Sequence, residues 1–290
     1  MIKKAQLLSV ALLIVGLLIH VSSVAQNKIS TDYNTHDNKG KFFIYWGWNR
    51  ASYSNSDISF RGDTYDFTLS KVMSKDKQTP WDPGIYFNPA LITIPQTNFK
   101  IGYFINDHYN ISVGVDHMKY VMIQDQTVKI NGNISTPGSP YEGVFNNNDI
   151  VLTEDFLTFE HTDGLNYINV ELSRVDDILK VLHHGMKNLE LNLTEGFGVG
   201  ALLPKTNAKL FGNKRHDDFH LAGYGLDIKV GLNITFYKYF FLQGELKGGF
   251  IHMPDIRTTQ FKADKASQAF TFGEADFLFG AIFRIGNKDK

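Results

Sequence analysis

Residues 220–241 read HLAGYGLDIKVGLNITFYKYFF. The even positions from 222 to 236 are Ala222, Tyr224, Leu226, Ile228, Val230, Leu232, Ile234 and Phe236, all apolar. The odd positions between them are Gly223, Gly225, Asp227, Lys229, Gly231, Asn233 and Thr235, all glycine, polar or charged. A period of two over this length belongs to a β-strand, whose successive side chains point to opposite faces. Tyr237-Lys238-Tyr239 then turns the chain, and Phe240, Leu242, Leu246 and Phe250 return against Gln243, Glu245 and Lys247. The stretch predicts a hairpin of two long strands, each with one oily face. That face meets either a protein core or a bilayer.

The same period runs along most of the chain. Residues 41–49 (KFFIYWGWN) form an aromatic strand, and Tyr65, Phe67 and Leu69 alternate in a second. Phe99, Ile101, Tyr103 and Ile105 lead through Asn106-Asp107-His108 into Tyr109, Ile111, Val113 and Val115, a hairpin. Leu157 and Phe159, an Asp163-Gly164 turn signal, then Ile168, Val170 and Leu172 predict another. Leu189, Leu191, Leu193, Phe197, Val199 and Ala201 share one face, as do Phe277, Phe279, Ala281, Phe283 and Ile285 in the last strand. Residues 173–185 break the pattern: Ser173 with Asp176 three residues on, apolar Ile178, Leu179 and Leu182, and Gly185 predict one short helix. No repeat of 20–50 residues is visible. Short connections fall near 106–108, 163–164, 237–239 and Pro204-Lys205, and long ones near 54–96, 124–152, 173–188, 212–218 and 254–268.

Bulk composition narrows the class. The 290 residues carry a net charge of −1, which gives no basic footprint for nucleic acid. Mean hydropathy is −0.19, a value typical of water-soluble chains. A barrel hides its oil from that average, because a polar interior and polar loops dilute it. Lys3 and Lys4, an apolar run from about Leu7 to Ile19 and Ser23-Val24-Ala25 predict a cleaved export signal over residues 1–25. Residues 26–40 are then a flexible lead-in, 41–286 the folded body and 287–290 a tail. With no cysteine, disulfides, thiolate chemistry and a lipid-modified cysteine are excluded. After residue 26 no apolar run of about 18 residues could form a spanning helix.

Several features favour lipid over core. The signal exports the chain. The polar faces are rich in Gly, Ser, Thr and Asn, which suits a crowded lumen. The strands approach the 9–11 residues that cross a bilayer, against about 5–6 in globular sheets. Aromatics gather at strand ends (Tyr237, Tyr239, Phe240, Trp46, Trp48), and short connections alternate with long ones. The expected fold is all-β: a closed, antiparallel, up-and-down transmembrane β-barrel of 10–12 strands with one short helix in a loop. Leu226, Ile228, Val230, Leu232, Phe279 and Phe283 would face lipid. Lys100, Asp116, Glu160, Glu171, Asp227, Lys229, Glu245, Lys247, Asp276 and Arg284 would form a charge network in the lumen.

With its signal segment, dyad strands, aromatic last strand, and phrases such as NFKIGYFIND, DHMKY, FEHTDGLNY and HLAGYG, the chain resembles the small outer-membrane β-barrel proteins of Gram-negative bacteria, among them an uncharacterised family. The resemblance covers roughly residues 41–286. It implies an outer-membrane location, outer-membrane lipid and lipopolysaccharide as surroundings and the barrel-assembly machinery as a partner; it implies no cofactor. The final GNKDK departs from the terminal aromatic of such barrels.

Other motifs were weighed against plainer readings. GFGVG (196–200) alternates in a strand and reads as lumen packing rather than a phosphate loop. Arg61-Gly62-Asp63 reads as an ordinary turn rather than an adhesion signal. His216 and His220, with Asp217 and Asp218 between them, are metal-ligand types, but they lead into a strand. His161-Thr162-Asp163 reads as a turn cluster at the short-turn end. A barrel enzyme cleaving lipid A or phospholipid would need His117 or His183 as base, Asp116 to orient it, and Ser112 or Ser173 as nucleophile. A soluble periplasmic ligand-binding barrel would carry the same alternation with its faces exchanged.

Overall fold

A computed structural model describes residues 38–181, 188–213, 216 and 218–286. The signal segment, most of the lead-in, His183, Asp217 and the tail 287–290 lie outside the described residues.

Eight long strands build the body: β1 (Phe42–Tyr53), β5 (Thr97–Phe104), β6 (Tyr109–Met122), β9 (Leu157–Asp177), β10 (Leu189–Leu202), β12 (Gly223–Phe236), β13 (Phe240–Arg257) and β14 (Lys265–Phe283). Each pairs antiparallel with the next in this order, and β14 pairs back onto β1 along all of Phe42–Tyr53. The pairings thus form a ring. Register partners can be followed round it: Phe42, Tyr103, Ile111, Leu172, Phe197, Ile228, Gly248, Gly273 and finally Ser52. The path returns ten residues above its start (52 − 42 = 10). Eight strands with that stagger are tilted by about 40°.

The ring has eight strands rather than 10–12, for two reasons. The Asp163-Gly164 signal is not a hairpin. β9 runs straight through it, pairing with β6 at His161 and again at Leu165. Gly164 adopts φ +135°, and Thr162–Gly164 stand opposite Lys119 alone, so the extra residues form a bulge. The Tyr65-Phe67-Leu69 strand, in turn, does not join the ring. β2 (Ser56–Gly62) pairs with the upper end of β14, then β3 (Tyr65–Val72), β7 (Thr127–Ile134) and β8 (Gly143–Val151) extend the sheet outward.

Facing that extension are the upper ends of β6 and β9, flanked by β4 (Ser74–Lys75) and β11 (Asn207–Leu210). The two layers close on a hydrophobic core, with Phe60 5.7 Å from Phe159 and Phe67 5.9 Å from Phe156 between ring centroids. This head grows from the connections that leave the upper end of the ring: 54–96, 123–156, 203–222 and 258–264. The lower end carries 105–108, 178–188 and 237–239. The long connection near 173–188 therefore belongs to the short-turn end, and Pro204-Lys205 to the long-loop end. Residues 173–177 continue β9, and α2 (Ile178–Val181) is the part of the expected helix that lies among the described residues, 182–185 falling outside them. Another short helix, α1 (Pro83–Tyr86), lies in the first long connection.

On β12 the faces are fixed. Leu226, Ile228 and Leu232 are 50%, 69% and 53% exposed on the outside, while Asp227 and Lys229 are buried inside. Val230 and Phe279 are half-buried on the outer face, and Phe283 is exposed at the lower end.

His161 is in the head, not at a short turn. It is fully buried, its ring tilted against Tyr120 with centroids 5.4 Å apart, and its Nδ1 lies 2.8 Å from Thr206 Oγ1. Burial pushes its imidazole down to about 4. The unfolded chain, with an imidazole pKa near 6.5, binds the proton first. Head stability is therefore full above pH ~6.5 and falls toward pH ~4, by about 3 kcal/mol. Amide exchange of β3 and β7 followed against pH should show this loss in the wild type, and H161Q should remove most of it.

Candidate functional site: the ionic core of the ring

The lumen is crossed by charge. Lys100 comes from β5, Asp116 from β6, Glu171 from β9, Lys229 from β12, and Glu245 and Lys247 from β13. Alternation aims them all inward. Lys247 Nζ lies 2.6 Å from Asp116 and 3.0 Å from Glu171. Lys229 Nζ lies 2.7 Å from Glu171 and 3.2 Å from Glu245. Lys100 bridges Glu171, lies 3.6 Å from Asp116 and donates to Asn169 at 2.6 Å. Three ammonium groups thus interleave with three carboxylates. Lys229 and Lys247 are register partners on adjacent strands, and carboxylates from across the ring separate their like charges.

Asp227 takes a neutral partner, accepting from Tyr167 Oη at 2.7 Å. Asp276 is buried beside Glu274, which accepts from Asn98 Nδ2 at 2.9 Å. Opposite the long side chains the wall offers glycine. A Cβ on Gly198 would lie 2.4 Å from Asp227 Oδ2, and one on Gly200 would lie 2.2 Å from the Ile168 carbonyl oxygen. The GFGVG run is therefore wall packing. Below Lys229 a cavity of about 50 Å³ is lined by Asn110, Ser173, Asn192, Thr194, Asn233 and Gln243, among others. It has room for a few waters and nothing larger.

Two members of the expected network lie elsewhere. Glu160 stands above the β9 bulge, in the head, 3.4 Å from Lys77. Arg284 follows the last residue of β14 and is exposed. Glu274, Asn169, Asn98 and Tyr167 were missed, although their parity on β14, β9 and β5 marks them as inward. Among the described residues the hydrolase constellation is not assembled around His117; its His183 form lies outside them. Asp116 and His117 are neighbours on one strand and point to opposite faces, and His117 Nδ1 meets Asn166 at 2.7 Å. Ser173 is a lumen residue at the lower end of β9. His216 faces Asp218, while His220 pairs with Asp255 at 3.0 Å. Among the described residues no group of three ligand-type side chains could hold a metal.

No protein-family model matches the chain, and no curated protein is significantly similar to it in sequence. Among solved structures it is similar to the outer membrane protein OprG from Pseudomonas aeruginosa, with 11% identity over 88% of this chain and 100% of that one, at a TM-score of 0.37. It is similar to Ail, the attachment invasion locus protein of Yersinia pestis, with 13% identity over 84% and 99%, TM-score 0.33. It is also similar to Neisserial surface protein A, with 11% identity over 84% and 99%, TM-score 0.33. At such values, what this chain does has to come from its own residues.

Removing one ammonium group strands buried carboxylates. K247M should destabilise the protein by about 3–5 kcal/mol. Adding D116N should recover part of that loss. Urea unfolding from detergent micelles measures both.

Proposed function

We propose that the chain is an integral outer-membrane β-barrel of a Gram-negative bacterium, exported by its signal segment, with a closed lumen and a structural or surface-interaction role carried by the head. The observation that supports this most is the inverted ring, oil outside and charge inside. Ile111, Val113, Ile168, Val170, Phe197, Val199, Leu226, Ile228, Leu246 and Phe277 are exposed around it. From Tyr224 to Phe236, twelve residue steps at about 40° tilt span about 30 Å, the thickness of a bilayer's hydrocarbon. Three charges break the outer face on β9 and β10: Arg174 and Asp176 pair at 2.6 Å near the lower end of β9, and Glu195, midway along β10, is the register partner of Arg174. A soluble ligand-binding barrel would need these faces exchanged.

Closure of the wall fits this solvent, since an open sheet edge in hydrocarbon costs several kcal/mol per unsatisfied group. β1 begins and β14 ends at the lower rim, beside the short connections 105–108 and 237–239, so that rim is assigned to the periplasm and the head to the exterior. An eight-stranded interior is only wide enough to be filled by side chains, and here an ionic cluster fills it.

The protein should stay in the membrane fraction after an alkaline carbonate wash, and it should give no conductance steps in planar bilayers. Release by the wash would contradict the membrane assignment. Steady ion-selective steps would contradict the closed lumen.

A further inference from the structure

The first long connection does not all rise into the head. Residues 76–96 fold back down the outside of the wall, beside β1 and above the short strand β5. Phe87 lies 5.1 Å and Trp81 6.4 Å from Trp48, ring to ring, and Trp48 sits midway along β1 on its outer face. Trp48 in turn touches Phe277 and Phe279, both on the outer face of β14. The aromatic surface is thus continuous from the apolar belt into this segment. Trp81, Phe87, Ile92 and Ile94 are nonetheless exposed, at 64%, 55%, 37% and 42%. Residues 83–99 contain no Asp, Glu, Lys or Arg; the one charged residue of 81–94 is Asp82, exposed, whose carboxylate accepts from the Gly84 N–H at 2.8 Å.

The segment is anchored. Tyr86 Oη donates to the Thr79 carbonyl at 2.7 Å and accepts from Arg50 at 3.1 Å, Thr79 Oγ1 donates to the Ile94 carbonyl at 2.8 Å, and Lys119 Nζ donates to that same carbonyl. Arg50, His117 and Lys119, the polar groups on the outer wall here, are covered or partly covered by it.

Its backbone also suits an apolar solvent. Irregular chain is excluded from hydrocarbon because its amides go unpaired. Here Pro83, Pro89 and Pro95 have no N–H. The N–H groups of Ile85, Tyr86, Phe87, Asn88, Leu91 and Ile94 donate to carbonyls within the segment, and those of Gly84 and Ala90 donate to Asp82 and Asn88 side chains.

We infer that residues 81–94 are a lipid-docking face, with Trp81 and Phe87 seated among the outer-leaflet acyl chains just below the headgroups. This rests on the membrane assignment above. The occupant is lipid rather than a protein partner because the patch continues the belt and most of its backbone donors are bonded within it.

The chain has three tryptophans, Trp46, Trp48 and Trp81, which makes the test direct. W46F/W48F leaves Trp81 as sole reporter, and W48F/W81F leaves Trp46 on the belt. Each is reconstituted in phosphatidylcholine vesicles whose acyl chains are brominated near the headgroup or at mid-chain. Trp81 should lose as much emission to bromine as Trp46 does, with the headgroup-proximal label the stronger quencher. If Trp46 is quenched while Trp81 responds only to aqueous iodide, the docking face is wrong and the membrane assignment stands. If neither responds to bromine, both fall. F87C in the otherwise native chain, which has no cysteine of its own, carries a nitroxide as a second reporter should W46F/W48F fail to fold. Lipid-dissolved oxygen should relax it, and relaxation by a water-soluble nickel complex alone would again overturn the inference.

Discussion

Everything in this molecule depends on β1 meeting β14. Those two strands pair along all of Phe42–Tyr53, and through them the wall has no free edge below the head. A sheet in hydrocarbon must satisfy every amide within itself. Closure fixes the stagger, the stagger fixes the tilt, and the tilt sets how much of each strand lies within the apolar belt. It also brings the inward residues of strands that do not pair close enough to bridge. Lys100 on β5 reaches Glu171 on β9, and Lys247 on β13 reaches Asp116 on β6.

The same strands then serve two interiors. β14 leaves β1 above Phe272 and takes up β2 at Gln268, a handover made at Ser54 and Thr271 by two hydrogen bonds, 2.9 and 3.0 Å. Above that point the interior changes from ions to aromatics, and the structure becomes two layers around Phe60, Phe67, Phe156 and Phe159. A buried ionic core adds little net stability over an apolar one of equal volume. It does make the interior intolerant of slippage, since moving one strand by one residue would turn its charges outward. The head needs no such device, because its apolar residues face each other and its outer faces are polar.

Much of this was legible in the alternation. On β12, and on β13 as far as Met253, outward and inward residues could be read by parity, and the inward Lys, Asp and Glu followed; beyond it a register shift carries Ile256 inward against the alternation. Strand count was not legible, because a Gly with positive φ serves a bulge and a turn equally well. Gly164 looks like a hairpin signal, yet its neighbours His161 and Leu165 both pair with β6. The end of β9 misled for a similar reason: Ser173 and Asp176 have helix-cap spacing, but pairing with Asn110 and Leu193 holds them in the sheet. The head was hidden because its strands also alternate, and nothing local says whether such a strand joins a ring or a sandwich. Glu274 was legible and overlooked; it shares the parity of Asp276.

The most direct measurement is a nitroxide scan of residues 224–236, one introduced cysteine at a time, in a chain that has no cysteine of its own. Oxygen, which partitions into lipid, should relax labels at Leu226, Ile228, Val230 and Leu232, while labels at Asp227, Lys229, Gly231 and Asn233 stay shielded from it. The opposite phase, or even-numbered labels that respond instead to a water-soluble nickel complex, would contradict the account at its root.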